Sequence, residues 1–288
     1  MILSTQTSLL SQRLGEHDAI RLLASTGFDA LDFSMFEMHQ PGHPLNQPDY
    51  RSYLSAIRQT ADACGLPFRQ AHAPFPTYID NQTDYNTVTR DRVIRSIEAA
   101  SLLGAQHIVV HPVWFRQSTE QKERNLAIFN DLAEATRDFP IKICLENMWG
   151  HNETGDRIIP NVCSTGSDFA DYLDALDPQR FTACLDLGHC GLVGEDAATM
   201  IRQLDGHRLK ALHVHDNNHL EDQHTAPFSG QMDWPSIMEA LAGIGYDGDL
   251  TLEADNFMAH VPDDLLPSAI RYLHDCGRQL IRMFEQHL

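Results

Sequence analysis

The sequence predicts a single (β/α)8 barrel occupying residues 1–288. Three observations carry that reading. Strand-like apolar runs alternate with helix-like stretches at a steady period. Gly27, Gly65 and Gly104 punctuate that period at intervals of 38 and 39 residues. Metal-seeking residues close the apolar runs on six of eight candidate strands. An open, doubly wound sheet would gather such residues only near its switch point, whereas a closed barrel brings every strand end to one face.

Ile2 to Ser4 reads as the first strand, and His17 to Thr26 as a helix ended by Gly27, a C-cap glycine. Ala30 to Phe33 is the second strand. The helix Asp49 to Cys64 ends at Gly65, and Pro67 to Ala71 follows as the third strand. Tyr85 to Leu103, closed by Gly104, leads to the fourth strand, His107 to Val110. Ser118-Thr119-Glu120-Gln121 fits a capping box that opens a helix towards Asp138, before the fifth strand, Ile141 to Leu145. Ser167-Asp168 opens another helix ahead of the sixth strand, Thr182 to Leu185. Leu209 to Leu212 is the seventh strand, and Trp234 to Ile244 is a helix ended by Gly245. Asp249 to Leu252 is the eighth strand. These units fill the chain and leave no linker.

Composition narrows the function. The formal net charge of −19 opposes binding to nucleic acid, because that affinity comes largely from Lys and Arg neutralising phosphates. No apolar stretch is long enough to span a bilayer. The N-terminus carries no basic region or cleavage site, and the six cysteines show no C-x-x-C spacing, so a cytoplasmic location is expected. The oligomeric state is not legible in the sequence.

Sixteen histidines are a surplus that needs placing. His72, His111, Glu146, Asp186, His213 and Glu253 each end an apolar run, so a barrel converges them at its carboxyl face. Asp186-Leu187-Gly188-His189 and His213-Val214-His215-Asp216 are dense clusters of acid and imidazole. Asp222-Gln223-His224 adds a pair two residues apart, which face the same way in an extended segment. Carboxylates crowded together repel and call for a cation. Histidine with carboxylate, without cysteine, suits catalytic zinc, manganese or iron rather than structural zinc. By strand parity His215 faces the same side as His213, and spacing alone does not choose between them.

Glu146-Asn147, Asp186-x-x-His189, His213-x-x-Asp216 and Glu253 look like motifs of one family. The chain resembles the xylose-isomerase-like TIM-barrel superfamily, which includes sugar isomerases and epimerases, inosose dehydratases and endonuclease IV. Under this resemblance the H-x-x-D register selects His213 as the ligand. His72, His111, Glu146, Asp186, His189, His213, Asp222, His224 and Glu253 correspond in order to the ligand set of endonuclease IV. The resemblance implies that His72, His111 and Glu146 hold one ion. Asp186, His213 and Glu253 hold a second, bridged by Glu146, while His189, Asp222 and His224 hold a third. Nine donors are more than a single ion, with about four protein ligands, can use. The expected cofactor is therefore a divalent metal, zinc or manganese, at one to three ions per chain.

The expected rim does not suit DNA. Its clear basic residues are Arg13, Arg116 and Arg157, against Glu37, Asp80, Asp84, Glu153, Asp156, Glu195, Glu221, Asp233, Asp255, Asp263 and Asp264. Aromatics crowd the same loops: Phe36, Phe75, Tyr78, Trp114, Trp149, Phe228, Trp234 and Phe257. About half are expected to pack the loops, and the others suit sugar C–H faces. Phe75, Trp114 and Trp149 are taken as substrate-binding, as is His219, which stands where keto-sugar 3-epimerases carry a substrate-binding arginine. The favoured expectation is a metal-dependent sugar isomerase or epimerase with a small sugar or polyol as partner. Glu146 and Glu253 exchange the proton and His189 orients an oxygen. A trinuclear zinc phosphoesterase is the first rival, and a metal-bound sensor without turnover is the second.

Overall fold

The computed structural model describes residues 1–116 and 118–288. Eight parallel strands form one sheet: β1 (Leu3–Gln6), β2 (Ala30–Ser34), β3 (Phe68–His72), β4 (His107–Val109), β5 (Lys142–Glu146), β6 (Phe181–Asp186), β7 (Leu209–His213) and β8 (Leu250–Leu252). They run in the order β8-β1-β2-β3-β4-β5-β6-β7. Pairing between Val214 and Leu252 joins the two ends, with Val214 N–H donating to Thr251 O at 2.9 Å and Glu253 N–H to Val214 O at 3.1 Å. The sheet is thus a barrel, as the sequence predicts.

Helices surround it. Glu16–Thr26, Tyr50–Cys64 and Thr83–Leu103 end at Gly27, Gly65 and Gly104, whose φ values of 106°, 66° and 92° are open to glycine at little cost. The large apolar core lies between sheet and helices, and Val109, Cys144, Cys184 and Ala211 form a smaller cluster of their own. Burial pushes the Cys144 and Cys184 thiols up, which leaves them as inert core residues.

Two expected helix starts shift. The fifth-unit helix is Gln121–Ala135, without a side-chain cap. The Gln121 side chain serves the preceding loop instead, accepting from Phe115 N–H at 2.8 Å. The next helix, Gly166–Asp174, is capped by Thr165, whose hydroxyl accepts from Asp168 N–H at 3.2 Å. A short antiparallel hairpin, Trp149–His151 with Ile158–Pro160, stands where the sequence suggested only loop.

Strand register sets the level of the site. His72 lies opposite Ser34 and Val109, and Asp186 lies opposite His213. The last residues of neighbouring strands therefore share one rim.

Candidate metal centre

Glu146, Asp186 and His213 are the final residues of β5, β6 and β7, and Glu253 follows β8 directly. Ligand-capable atoms of these four residues all lie within 4.8 Å of one another, and all four are buried. His213 Nδ1 stands 2.9 Å from Glu146 Oε1 and 3.2 Å from Glu253 Oε2. His111 Nε2 lies 2.8 Å from Glu146 Oε2, and His72 Nε2 lies 3.6 Å from Glu253 Oε1. This inner cluster brings together all six strand-end residues singled out in the sequence.

A second, outer cluster adjoins it. His189, His215, Asp222 and His224 also bring ligand-capable atoms within 4.8 Å of one another. Asp222 Oδ2 is 3.4 Å from His189 Nε2 and 3.2 Å from His224 Nε2. His215 Nε2 contacts both oxygens of Asp186, at 3.0 and 3.2 Å, so it stands between the clusters. Gly188 permits this, because a Cβ there would collide with the His215 ring. Both His213 and His215 face the site, as strand parity requires.

The chemistry of the donors fits a divalent cation. Buried polar atoms normally find partners, and each one left bare costs about 1–3 kcal/mol. His72 Nε2, His111 Nδ1, Glu146 Oε2, His213 Nε2 and Asp222 Oδ1 are buried without a hydrogen bond. Glu146 Oε2 is bare despite its short approach to His111. That oxygen and the His111 nitrogen beside it are both of the donor type a divalent cation accepts.

Several imidazoles are fixed from behind. His189 Nδ1 donates to Asn147 O and His224 Nδ1 to Glu253 O, both at 2.8 Å. Carbonyls only accept, so each Nδ1 carries hydrogen and each Nε2 faces Asp222. His72 Nδ1 sits 3.1 Å from Asp32 Oδ1, which directs Nε2 into the cluster. Such outer partners commonly orient metal-ligating histidines. Sequence reading missed Asp32, a buried carboxylate within an apolar strand that also accepts from Gln70 Nε2 at 2.9 Å. An acidic residue inside the run Ala30 to Phe33 was the available signal. Asn147 ties β5 to β6, accepting from Asp186 N–H at 2.7 Å and donating to Asp186 O at 2.9 Å.

The electrostatics run the same way. Burial disfavours charge on His213, but Glu253 and Glu146 override it and raise the imidazole to about 10. His189 also reaches about 10, against its burial, through Asp186 and Asp222. Burial raises Glu146, yet His213 and His111 hold it well below the usual carboxylate range. Asp222 is held down in the same way by His189 and His224. Without an ion, protons on histidine balance the carboxylates. A divalent cation supplies that positive charge and releases the protons.

The predicted substrate residues are placed differently from one another. Phe75 is half-exposed and stands edge-on to His111, with ring centroids 4.8 Å apart. Trp149 donates Nε1–H to Asp222 Oδ2 at 3.2 Å. Trp114 is braced between Gly150 and the Arg116 guanidinium, which lies 4.3 Å from its ring. The His219 ring rests against Gly191. Of the other aromatics, Trp234 is a correction: it is buried, and its indole donates to Asp216 at 3.0 Å. Tyr78 packs on Phe115 and Phe257 on Tyr272, so they brace loops. Arg13 and Arg116 are also engaged, donating to Val261 O at 2.7 Å and to His151 O at 2.8 Å.

A (β/α)8 barrel with histidine and carboxylate clusters at its carboxyl face defines the class of protein. The chain belongs to the xylose isomerase-like TIM barrel family, whose model matches residues 20–276. An uncharacterised protein of Methanocaldococcus jannaschii is 29% identical over 240 residues, covering 78% of this chain and 76% of its own. D-psicose 3-epimerase of Ruminiclostridium cellulolyticum is 24% identical over 247 residues, covering 81% of this chain and 76% of its own. A crystal structure of a D-tagatose 3-epimerase-like protein superposes with a TM-score of 0.76 at 21% identity, covering 99% of both chains. That likeness is one of fold.

Proposed function

We propose that the whole chain, 1–288, is one catalytic domain of a divalent-metal-dependent sugar isomerase or epimerase. The observation that carries this is the pair Glu146 and Glu253, both within reach of His213 Nδ1, at 2.9 and 3.2 Å, yet rooted on separate strands. Against its burial, His213 and His111 hold the Glu146 carboxyl well below its usual range, so it is ionised at neutral pH, the protonation state a general base needs. The placement of the pair, rather than its basicity, carries the reading. In this reading Glu146 and Glu253 take and return the proton on carbon, and His189, through its Nε2, orients a substrate oxygen or binds an additional ion. Glu146, Asp186, His213 and Glu253 would hold the principal ion, with His72 and His111 beside it and His189, Asp222 and His224 further out. When bound, zinc or manganese there supplies Lewis acidity towards a carbonyl and its neighbouring hydroxyl. Phe75 and Trp149 would meet the sugar's C–H faces, with Trp114 and His219 shaping the loops around it.

Two named relatives, a D-psicose 3-epimerase and a D-tagatose 3-epimerase-like protein, support a small unphosphorylated ketose or polyol as substrate. Engagement of Arg13 and Arg116 by loop carbonyls also disfavours an anionic polymer. All six cysteines are free, which supports a reducing, cytoplasmic setting. Among the described residues no helix is long and apolar enough to cross a membrane.

A ketose panel in deuterated water tests the proposal. The expected result is metal-dependent exchange at a carbon next to the carbonyl, abolished by Glu146→Gln and by Glu253→Gln. A silent panel together with turnover on an abasic duplex or a phosphodiester overturns it. The outer cluster favours that second reading, a multinuclear phosphoesterase, because a one-ion isomerase has no need of Asp222 and His224.

A further inference from the structure

The loop that delivers Asp222 and His224 follows an irregular path. His219, His224 and Phe228 sit at φ of 61°, 43° and 72°, a region that side-chain-bearing residues rarely adopt. Asp216 is the point around which the loop folds. Its fully buried carboxylate accepts from the backbone N–H of Asn217 at 3.0 Å, of Phe228 at 2.9 Å and of Met232 at 3.1 Å. It also accepts from Trp234 Nε1 at 3.0 Å. Its backbone pairs both ways with Thr225, the residue after His224: Asp216 N–H to Thr225 O at 2.9 Å, and Thr225 N–H to Asp216 O at 3.1 Å. Gly230 closes the turn, because a Cβ there would collide with Asn217 O and Asp216 Oδ1.

We propose that Asp216 is the positioning residue for the outer ion. It sets where Asp222 and His224 stand, and so controls outer occupancy while leaving the inner cluster intact. The inference rests on the outer-ion reading above. All four groups around the carboxylate are donors, which only an acceptor on both oxygens satisfies. Asparagine, of the same shape, would turn an amide N–H2 towards some of them. The inner donors end the barrel strands or lie within two residues of a strand end, and their positions come from strand register rather than from this loop.

The test loads wild type, Asp216→Asn, Gly230→Ala and His224→Ala with zinc or cobalt(II). It then measures metal per chain, the cobalt visible spectrum and Tm. Wild type should hold more than one equivalent. Asp216→Asn and Gly230→Ala should each lose the same equivalent and the same spectral band as His224→Ala, and keep the inner ion. The double variant Asp216→Asn with His224→Ala should lose no more than either alone. Full metal content in Asp216→Asn overturns the proposal, as does parallel loss of both ions with collapse of Tm in both loop variants. If Asp216→Asn fails to fold, Gly230→Ala decides. A wild-type stoichiometry of one, unchanged by His224→Ala, overturns the outer-ion reading itself, and this inference with it.

Discussion

The inner and outer clusters use the same residue types and are built in opposite ways. Inner donors stand at the ends of β3, β5, β6 and β7 and just beyond β4 and β8, where strand register places them. Of the outer residues, His189 hangs on a short helix, Leu187–Leu192, and Asp222 and His224 on an irregular loop with His224 in a left-handed conformation, while His215 stands two residues beyond β7. Inner side chains are almost wholly buried, whereas Asp222 and His224 keep 19% and 17% of their surface exposed. The barrel provides the inner cluster as a consequence of its fold, while the outer one has to be built by local hydrogen bonding. Perturbations of the two should therefore separate.

The largest expected effect is chemical and belongs to the inner cluster alone. Glu146→Gln and Glu253→Gln should each lower exchange by about 10²–10⁴-fold, while His224→Ala should lower it far less. Rates measured side by side in deuterated water check this, and equal losses in all three variants would erase the distinction. Next is the support behind His72. Asp32→Asn should weaken inner metal binding by about 10–100-fold and leave the outer ion untouched, which competition with a chelator can read. Then His224→Ala should remove about one equivalent of metal without a change of fold, as elemental analysis and circular dichroism would report.

The last effect is on stability against pH. In the metal-free protein His213 and His189 are raised from 6.5 to about 10, so the folded state binds more protons than the unfolded one. The stability they contribute is fully present below pH 6.5 and is lost as pH rises towards 10. A bound cation replaces those protons, so the metal-loaded protein should be flatter across that window. Urea melts of both forms at several pH values check it, and parallel curves would contradict the charge-balance account.

The barrel was legible because its signals are periodic. Glycine C-caps at Gly27, Gly65 and Gly104 and metal-seeking residues at six of the eight strand ends repeat with the βα unit. The convergence of His72, His111, Glu146, Asp186, His213 and Glu253 at one rim was legible for the same reason. Features set by local side-chain bonding were not. Gln121 was counted towards a capping box yet bonds the preceding loop, and Thr165 caps where Ser167 was expected. Asp32 was hidden because an acid inside an apolar strand reads as an exception until its partner His72 is seen. Trp234 was taken for rim because a tryptophan beside a loop looks the same in sequence whether it faces solvent or, as here, Asp216.

Anomalous difference maps collected at the zinc and manganese edges from crystals of metal-loaded protein would show whether the two clusters hold ions. A strong peak is expected between Glu146, Asp186, His213 and Glu253, and a second beside His189, Asp222 and His224. A flat map at the inner cluster, with His213 simply hydrogen-bonded to Glu146, would contradict the metal-dependent reading.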